Sequence, residues 1–349
     1  MIWAHRDKSA PGMRRVKLPC FALVLVPITV FVMESLISTH LAASGPDIPV
    51  SILSDDHPWL EASGRHRFLA ATWFFACFAV LAAALLVRKL ARPTAPATRV
   101  AAIATWFLVM LLAFSPTLQN HIGSGVPPIY APIGTELFEA VLSRGILPGC
   151  SEPDDLWLLG RCGEMPVAAM FDGMIDLINA LAGLGVGALI VGMILCLDTR
   201  DCASLDEEAD LAAENLRQMR QQLYLSSLIL TFGMFFATSW LYWPLPLVAE
   251  PHRAAYGALL LSMALYTGTY FSLLILSFYL PVAIILDGRA RDLAQRAARG
   301  MKTGNAGDAE TWLDARGLKD GAGDYLRAGF ALTAPILTAF AGGITPLAF

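Results

Sequence analysis

Six stretches of about 20 apolar residues recur along the chain, at 18–37, 67–87, 100–116, 176–197, 223–248 and 257–286. Each is long enough, as a helix, to cross a hydrocarbon layer about 30 Å thick. In lipid every backbone polar group must be satisfied within the segment, so the expected fold class is an all-α polytopic membrane protein with six transmembrane helices. Composition agrees: 56% of residues are hydrophobic and 15% are charged, well under the roughly 25% of soluble domains. A net charge of −4 offers no basic surface for nucleic acid.

Lys and Arg gather on the cytoplasmic side of bacterial-type membranes. With the N-terminus inside, residues 1–17 carry 5 basic side chains, the loop 88–99 carries 4, 198–222 carries 3 and the tail from 287 carries 8. Only Arg65, Arg67, Arg144, Arg161 and Arg253 are left outside. This bias predicts a bacterial inner-membrane protein with both termini cytoplasmic. Trp240, Tyr242 and Trp243 are expected in an interfacial aromatic belt. Arg14, Arg15 and Lys17 before an apolar core resemble a signal-peptide start, but the apolar run exceeds a usual h-region, so an uncleaved anchor is expected. The expected order is a cytoplasmic N-terminus at 1–17, three helices over 18–116, a periplasmic loop at 117–175, three helices over 176–286 and a cytoplasmic tail at 287–349. The last apolar stretch, 328–349, is broken by Pro335, Gly342, Gly343 and Pro346. It reads as an interfacial or packed helix rather than a seventh span.

The periplasmic loop is rich in proline and glycine, and a short helix is expected over Thr135–Arg144, ended by Gly145. Cys150 and Cys162 are the two cysteines that the topology places outside, where an oxidising compartment favours a disulfide. On the inner side, Ser204 with Glu207 forms a capping-box pattern. Leu205, Ala209, Ala212, Leu216, Met219 and Leu223 follow as a heptad seam. The seam predicts a stalk helix running straight into the fifth span and pairing with a second copy or with the tail. Arg289, Arg291, Arg296 and Arg299 suit anionic headgroups or simply obey the charge rule.

Glu34 is the only acidic side chain well inside an expected span, which makes it a proton or cation site candidate. Asp172 and Asp176, one turn apart at the entry to the fourth span, can draw cations or complement a helix dipole. Gly183 and Gly187 make a GxxxG step, a packing signal. Ser227, Thr231 and Thr238 in the fifth span, with Ser262, Tyr266, Thr267, Thr269, Tyr270 and Ser277 in the sixth, could line a wet path or bond helices together. Five histidines, His40, His57, His66, His121 and His252, fall in outer segments without HExxH or i, i+4 spacing. No haem pair, zinc spacing or catalytic motif is present, so no cofactor, metal or enzymatic activity is expected.

Function is less constrained. The stalk, the GxxxG step and the hydroxyl-bearing spans favour a homo-oligomer in membrane lipid that forms a pore or alters permeability. A non-conducting scaffold or sensor, binding a soluble cytoplasmic partner through stalk and tail, uses the same features. A transporter of a small solute is the third reading, with Glu34 at its centre.

Overall fold

The computed structural model describes residues 13–41, 50–53, 61–121, 156–157, 160–161, 167–300, 306–319 and 321–344. Among them are eight helices: α1 (Leu25–Leu41), α2 (Glu61–Ala91), α3 (Pro96–His121), α4 (Val167–Ile194), α5 (Leu205–Tyr242), α6 (Glu250–Gly300), α7 (Ala306–Ala315) and α8 (Ala322–Ile344). A 3-10 stretch, Leu18–Val24, leads into α1. The strands are β1 (Leu156–Trp157) and β2 (Gly160–Arg161), paired antiparallel. Six helical segments are long and apolar enough to cross a membrane: Leu18–Ser38, Ala62–Ala91, Pro96–Ser115, Gly173–Leu197, Leu205–Leu247 and Glu250–Arg299. Thr135–Arg144, Cys150 and Cys162 lie outside the described residues, and with them the expected loop helix and disulfide.

The helices run between two chemically distinct ends. One end is charged and gathers Arg14, Lys89, Asp198 and Arg200. The other is aromatic: Phe68 lies 5.2 Å from Phe236, 5.3 Å from Trp240 and 5.1 Å from Trp243, centroid to centroid. The expected interfacial belt is corrected here. Trp240, Tyr242 and Trp243 are buried, because α2 presents Gly64 to Trp243, where a Cβ would come within 2.8 Å of the Trp243 backbone. Large rings fill the space that the absent side chain leaves.

α4 and α5 form the centre: 72% and 67% of their apolar windows are buried, against 17% for the first segment. The outer helices turn large apolar residues outward, among them Leu36, Trp73, Phe107, Ile284 and Phe330. Gly183 and Gly187 let α4 close onto α3, since Cβ atoms there would meet Ala113 at 3.0 Å and Trp106 at 2.8 Å. The Trp106 indole donates to the Leu184 carbonyl at 3.0 Å.

α5 begins as its sequence signals. The Ser204 hydroxyl accepts from the Glu207 amide at 3.2 Å, and the Glu207 carboxylate accepts from the Ala203 amide at 2.8 Å. The helix then continues unbroken to Tyr242. The seam belongs to the monomer: Ala209, Leu216, Met219 and Leu223 are buried within this chain, with Ala212 packed against the same core and Leu205 half-buried at the start. It therefore offers no open face to a second copy. The tail covers this stalk. Arg296 pairs with Glu208 at 2.7 Å, Arg316 pairs with Asp206, and Arg316 stacks 5.6 Å above the Trp312 ring. Gly317, at φ +65°, ends α7, and the Leu318 amide donates to the Leu313 carbonyl at 2.9 Å, as in a left-handed helix stop.

The C-terminal apolar stretch forms α8, a helix packed along α5 and α6. Asp324 pairs with Arg220 at 3.7 Å, and Gly342 meets Thr238 eighteen residues further on, about 27 Å in both helices. Small residues make this possible: Ala331, Pro335 and Ala339 are buried, while Tyr325, Leu326, Phe330, Leu337 and Phe340 face outward. The first described residues sit at the charged end and the last near the aromatic end. Pro335 does not break α8, because neighbouring helices support it.

Gly268 of α6 is the contact point, where a Cβ would lie 2.9 Å from the Ala339 Cβ and 3.0 Å from the Pro335 carbonyl. Gly268→Leu should destabilise the protein by about 1–3 kcal/mol in micelles through overpacking. Gly288→Ala, where a Cβ meets nothing within 4 Å, should cost nothing and gain up to about 1 kcal/mol of helix propensity. Thermal unfolding of the two variants beside wild type checks the difference.

Candidate functional site

A cavity of about 210 Å³ lies among α1 to α6. Its wall is mostly apolar: Ile28 and Phe31 from α1, Phe75 from α2, Val109 from α3, Ile190 from α4 and Phe236 from α5 stand for the rest. The polar groups are few and come from three helices: Glu34 on α1, Asn179 on α4, and Tyr266, Thr267 and Tyr270 on α6. A mostly apolar space with a few placed polar groups is the usual form of a small-molecule site.

Glu34 therefore lines this cavity. The Ser38 hydroxyl, one turn on, donates to its carboxylate at 2.6 Å. Tyr266 approaches the same pair from α6, interacting with both Ser38 and Glu34. Among the described residues, no Lys, Arg or His lines the cavity. Nothing in the sequence shows that Tyr266, Tyr270 and Asn179 share a cavity with Glu34, because the four residues come from three helices far apart in the chain.

The other expected sites separate. α4 begins at Val167, so Asp172 and Asp176 lie inside the helix rather than at its start, and Asp176 does not line the cavity. Most of the hydroxyls of the fifth and sixth spans satisfy their own helix. Thr238 donates to the Met234 carbonyl at 3.0 Å, Thr267 to Met263 at 3.1 Å, Thr269 to Leu265 at 2.8 Å and Ser277 to Leu274 at 2.6 Å. They form no continuous polar path along α5 and α6. Of the tail arginines, Arg289 donates to the Leu197 carbonyl at 3.2 Å, and Arg291 and Arg296 pair with Asp287 and Glu208.

A second polar centre, not anticipated from sequence, closes the charged end. Asp198 is 2% exposed. Its carboxylate accepts from the Arg15 amide at 2.8 Å and from Arg200 Nε at 3.0 Å, with Arg14 Nε 3.6 Å away. Burial draws the Arg14 guanidinium below its ordinary pKa, and the Asp198 charge opposes that shift. The Asn215 amide donates to the Asp198 carbonyl at 2.9 Å. Close by, Lys89 donates to the Gly192 carbonyl at 3.1 Å. Asp198 and its partners join the segment before α1 to the α4–α5 joint, and the Arg14 backbone adds the α2–α3 turn, its amide donating to the Pro93 carbonyl at 3.0 Å and its carbonyl accepting from the Ala95 amide at 2.9 Å. These groups fasten chain segments and do not line the cavity that holds Glu34.

Comparison with known protein families, with curated proteins and with solved structures finds no match to this chain.

Asp198→Ala would leave Arg14 buried without a carboxylate. It should destabilise the protein by about 3–5 kcal/mol, whereas breaking the exposed Arg291–Asp287 pair should cost at most about 1 kcal/mol. Denaturant titration in micelles, with both variants beside wild type, measures the contrast.

Proposed function

We propose that this chain is a bacterial inner-membrane protein that binds a small, largely apolar solute inside its helix bundle and carries it across or into the bilayer. The observation that carries this reading is the aromatic cavity of about 210 Å³ with Glu34 in its wall. An engineered apolar cavity of about 150 Å³ holds benzene, so the space here suits one ring and a short chain. The first helix is the least buried of the six spans at 17%, so it is the element whose movement would open the cavity sideways to lipid. The oligomeric pore has weaker support, because the seam it relied on packs within the monomer.

The membrane placement follows the charges. The charged end faces the cytoplasm by the Lys and Arg bias, and the outward apolar residues face lipid. On this placement α8 is a seventh crossing: its 23 residues span about 34 Å. Small residues inward and large ones outward are what helix packing in lipid selects. All 8 basic residues of the tail lie at or before Arg327, at the start of α8, so the charge bias is unchanged by the extra crossing. The C-terminus then lies on the periplasmic side.

Two measurements test this. In sealed vesicles of single-cysteine variants, Ser204→Cys and Ile344→Cys should react with an impermeant maleimide from opposite sides; reaction from the same side removes the seventh crossing. The full chain in nanodiscs should bind the neutral probe 2-phenylethanol saturably and unfold at higher temperature with it. Ala182→Phe, which fills the cavity from α4, should abolish both effects. A wild-type protein that shows neither effect overturns the solute reading.

A further inference from the structure

The same cavity points to a chemical class of solute, and this inference rests on the solute-binding reading above. We propose that the site selects hydrophobic organic cations, ring-bearing amines above all, and that cation and proton compete for the Glu34 carboxylate. Three features of the wall lead there. Among the described residues Glu34 is its only carboxylate, and the remaining titratable groups facing it are Tyr266 and Tyr270 of α6. A carboxylate in apolar surroundings is costly without a positive partner, and the described residues of this wall supply none. A bound ammonium completes the pair, while an anionic solute would meet the carboxylate with no basic group to offset it.

Six rings line the same space: Phe31, Phe75, Phe236, Tyr266, Tyr270 and Phe271. Aromatic faces attract cations, and ammonium ligands are commonly held this way. The rings also match the apolar body of such a ligand, so both halves of an arylalkylamine find partners. A bare metal cation fits poorly, since hard cations need 6 or more oxygen ligands and the wall is mainly carbon. Ser38 donates to Glu34 at 2.6 Å and orients the carboxylate. It is a positioning residue in this scheme.

Competition follows from the charge balance. An ammonium group pairs with the ionised carboxylate, and a proton on Glu34 removes that charge. Lowering the pH therefore weakens amine binding and leaves a neutral ligand unaffected. If the site opens alternately to each side, exchange of one proton for one cation on Glu34 would couple solute movement to the proton gradient.

The test compares phenethylamine with 2-phenylethanol, which shares its ring and chain but carries no charge, by titration calorimetry on the full chain in nanodiscs. The amine should bind at least about tenfold tighter than the alcohol near neutral pH. Its affinity should fall from pH about 8 to about 5, while the alcohol's stays level. Glu34→Gln should bring the amine to the affinity of the alcohol and leave the alcohol within about threefold. An amine no tighter than the alcohol, or an amine affinity that neither pH nor Glu34→Gln moves, overturns the cation class and leaves the solute-binding reading standing. Absence of binding by both probes overturns both. Should Glu34→Gln fail to fold, the wild-type pH profile with the two probes decides, and equal profiles overturn the proposal.

Discussion

The buried carboxylate of Asp198 is the interaction on which the bundle's arrangement rests. Three parts of the chain distant in sequence must meet at the charged end, and each brings backbone groups or guanidinium nitrogens needing an acceptor. One carboxylate at 2% exposure serves the Arg15 amide and Arg200, with Arg14 close by. Its own carbonyl accepts from Asn215 on α5. With that end fastened, the start of α1, the α2–α3 turn and the beginning of α5 share one origin. The depth at which Glu34, Asn179 and Tyr266 meet follows from helix rise counted from there.

Close packing at the other end and along the sides uses a different device. Gly64 admits the Trp243 backbone, Gly187 admits Trp106, and Gly268 admits the Pro335–Ala339 stretch of α8. In each case the missing Cβ lets one helix approach until large rings or small-residue faces complete the contact. α8 covers α5 and α6 with its small face and leaves α1 as the most weakly covered wall of the cavity. A rigid frame with one lightly held side is the form a gated intramembrane site requires, because opening must break few contacts.

Glu34 gains its importance from this frame. On an isolated amphipathic helix it would be one carboxylate near an interface, free to reach water. Enclosed beside aromatic rings from four helices and hydrogen-bonded to Ser38, it becomes the one acidic group among the described residues of a mostly apolar wall. On the proposed reading, the cavity holds the ligand beside that carboxylate, and the lack of a basic residue among the described lining sets the charge the ligand would carry.

Much of the architecture was legible in the residues themselves. Six apolar runs have one available solution in hydrocarbon, so their positions predicted where the long helices fall, although α6 extends well beyond both ends of its run, and the Ser204–Glu207 pattern marked the start of α5. The standing of Glu34 also follows from sequence, since an ionisable group within an apolar run is conspicuous. Other features depended on which surfaces meet. The seam of Leu216, Met219 and Leu223 has the same pattern whether its partner is a second copy or the chain's own tail, because periodicity records an apolar stripe and not its occupant. Trp240, Tyr242 and Trp243 read as an interfacial belt until Gly64 brings α2 over them. The last helix looked too interrupted by proline and glycine to stand alone, and it does not stand alone: α5 and α6 support it, and its small residues are the contact. Sequence determined the elements and the one unusual charge, because those depend on local chemistry and length. Tertiary structure decided which helices enclose that charge, because convergence on a cavity depends on contacts between residues that no local pattern relates.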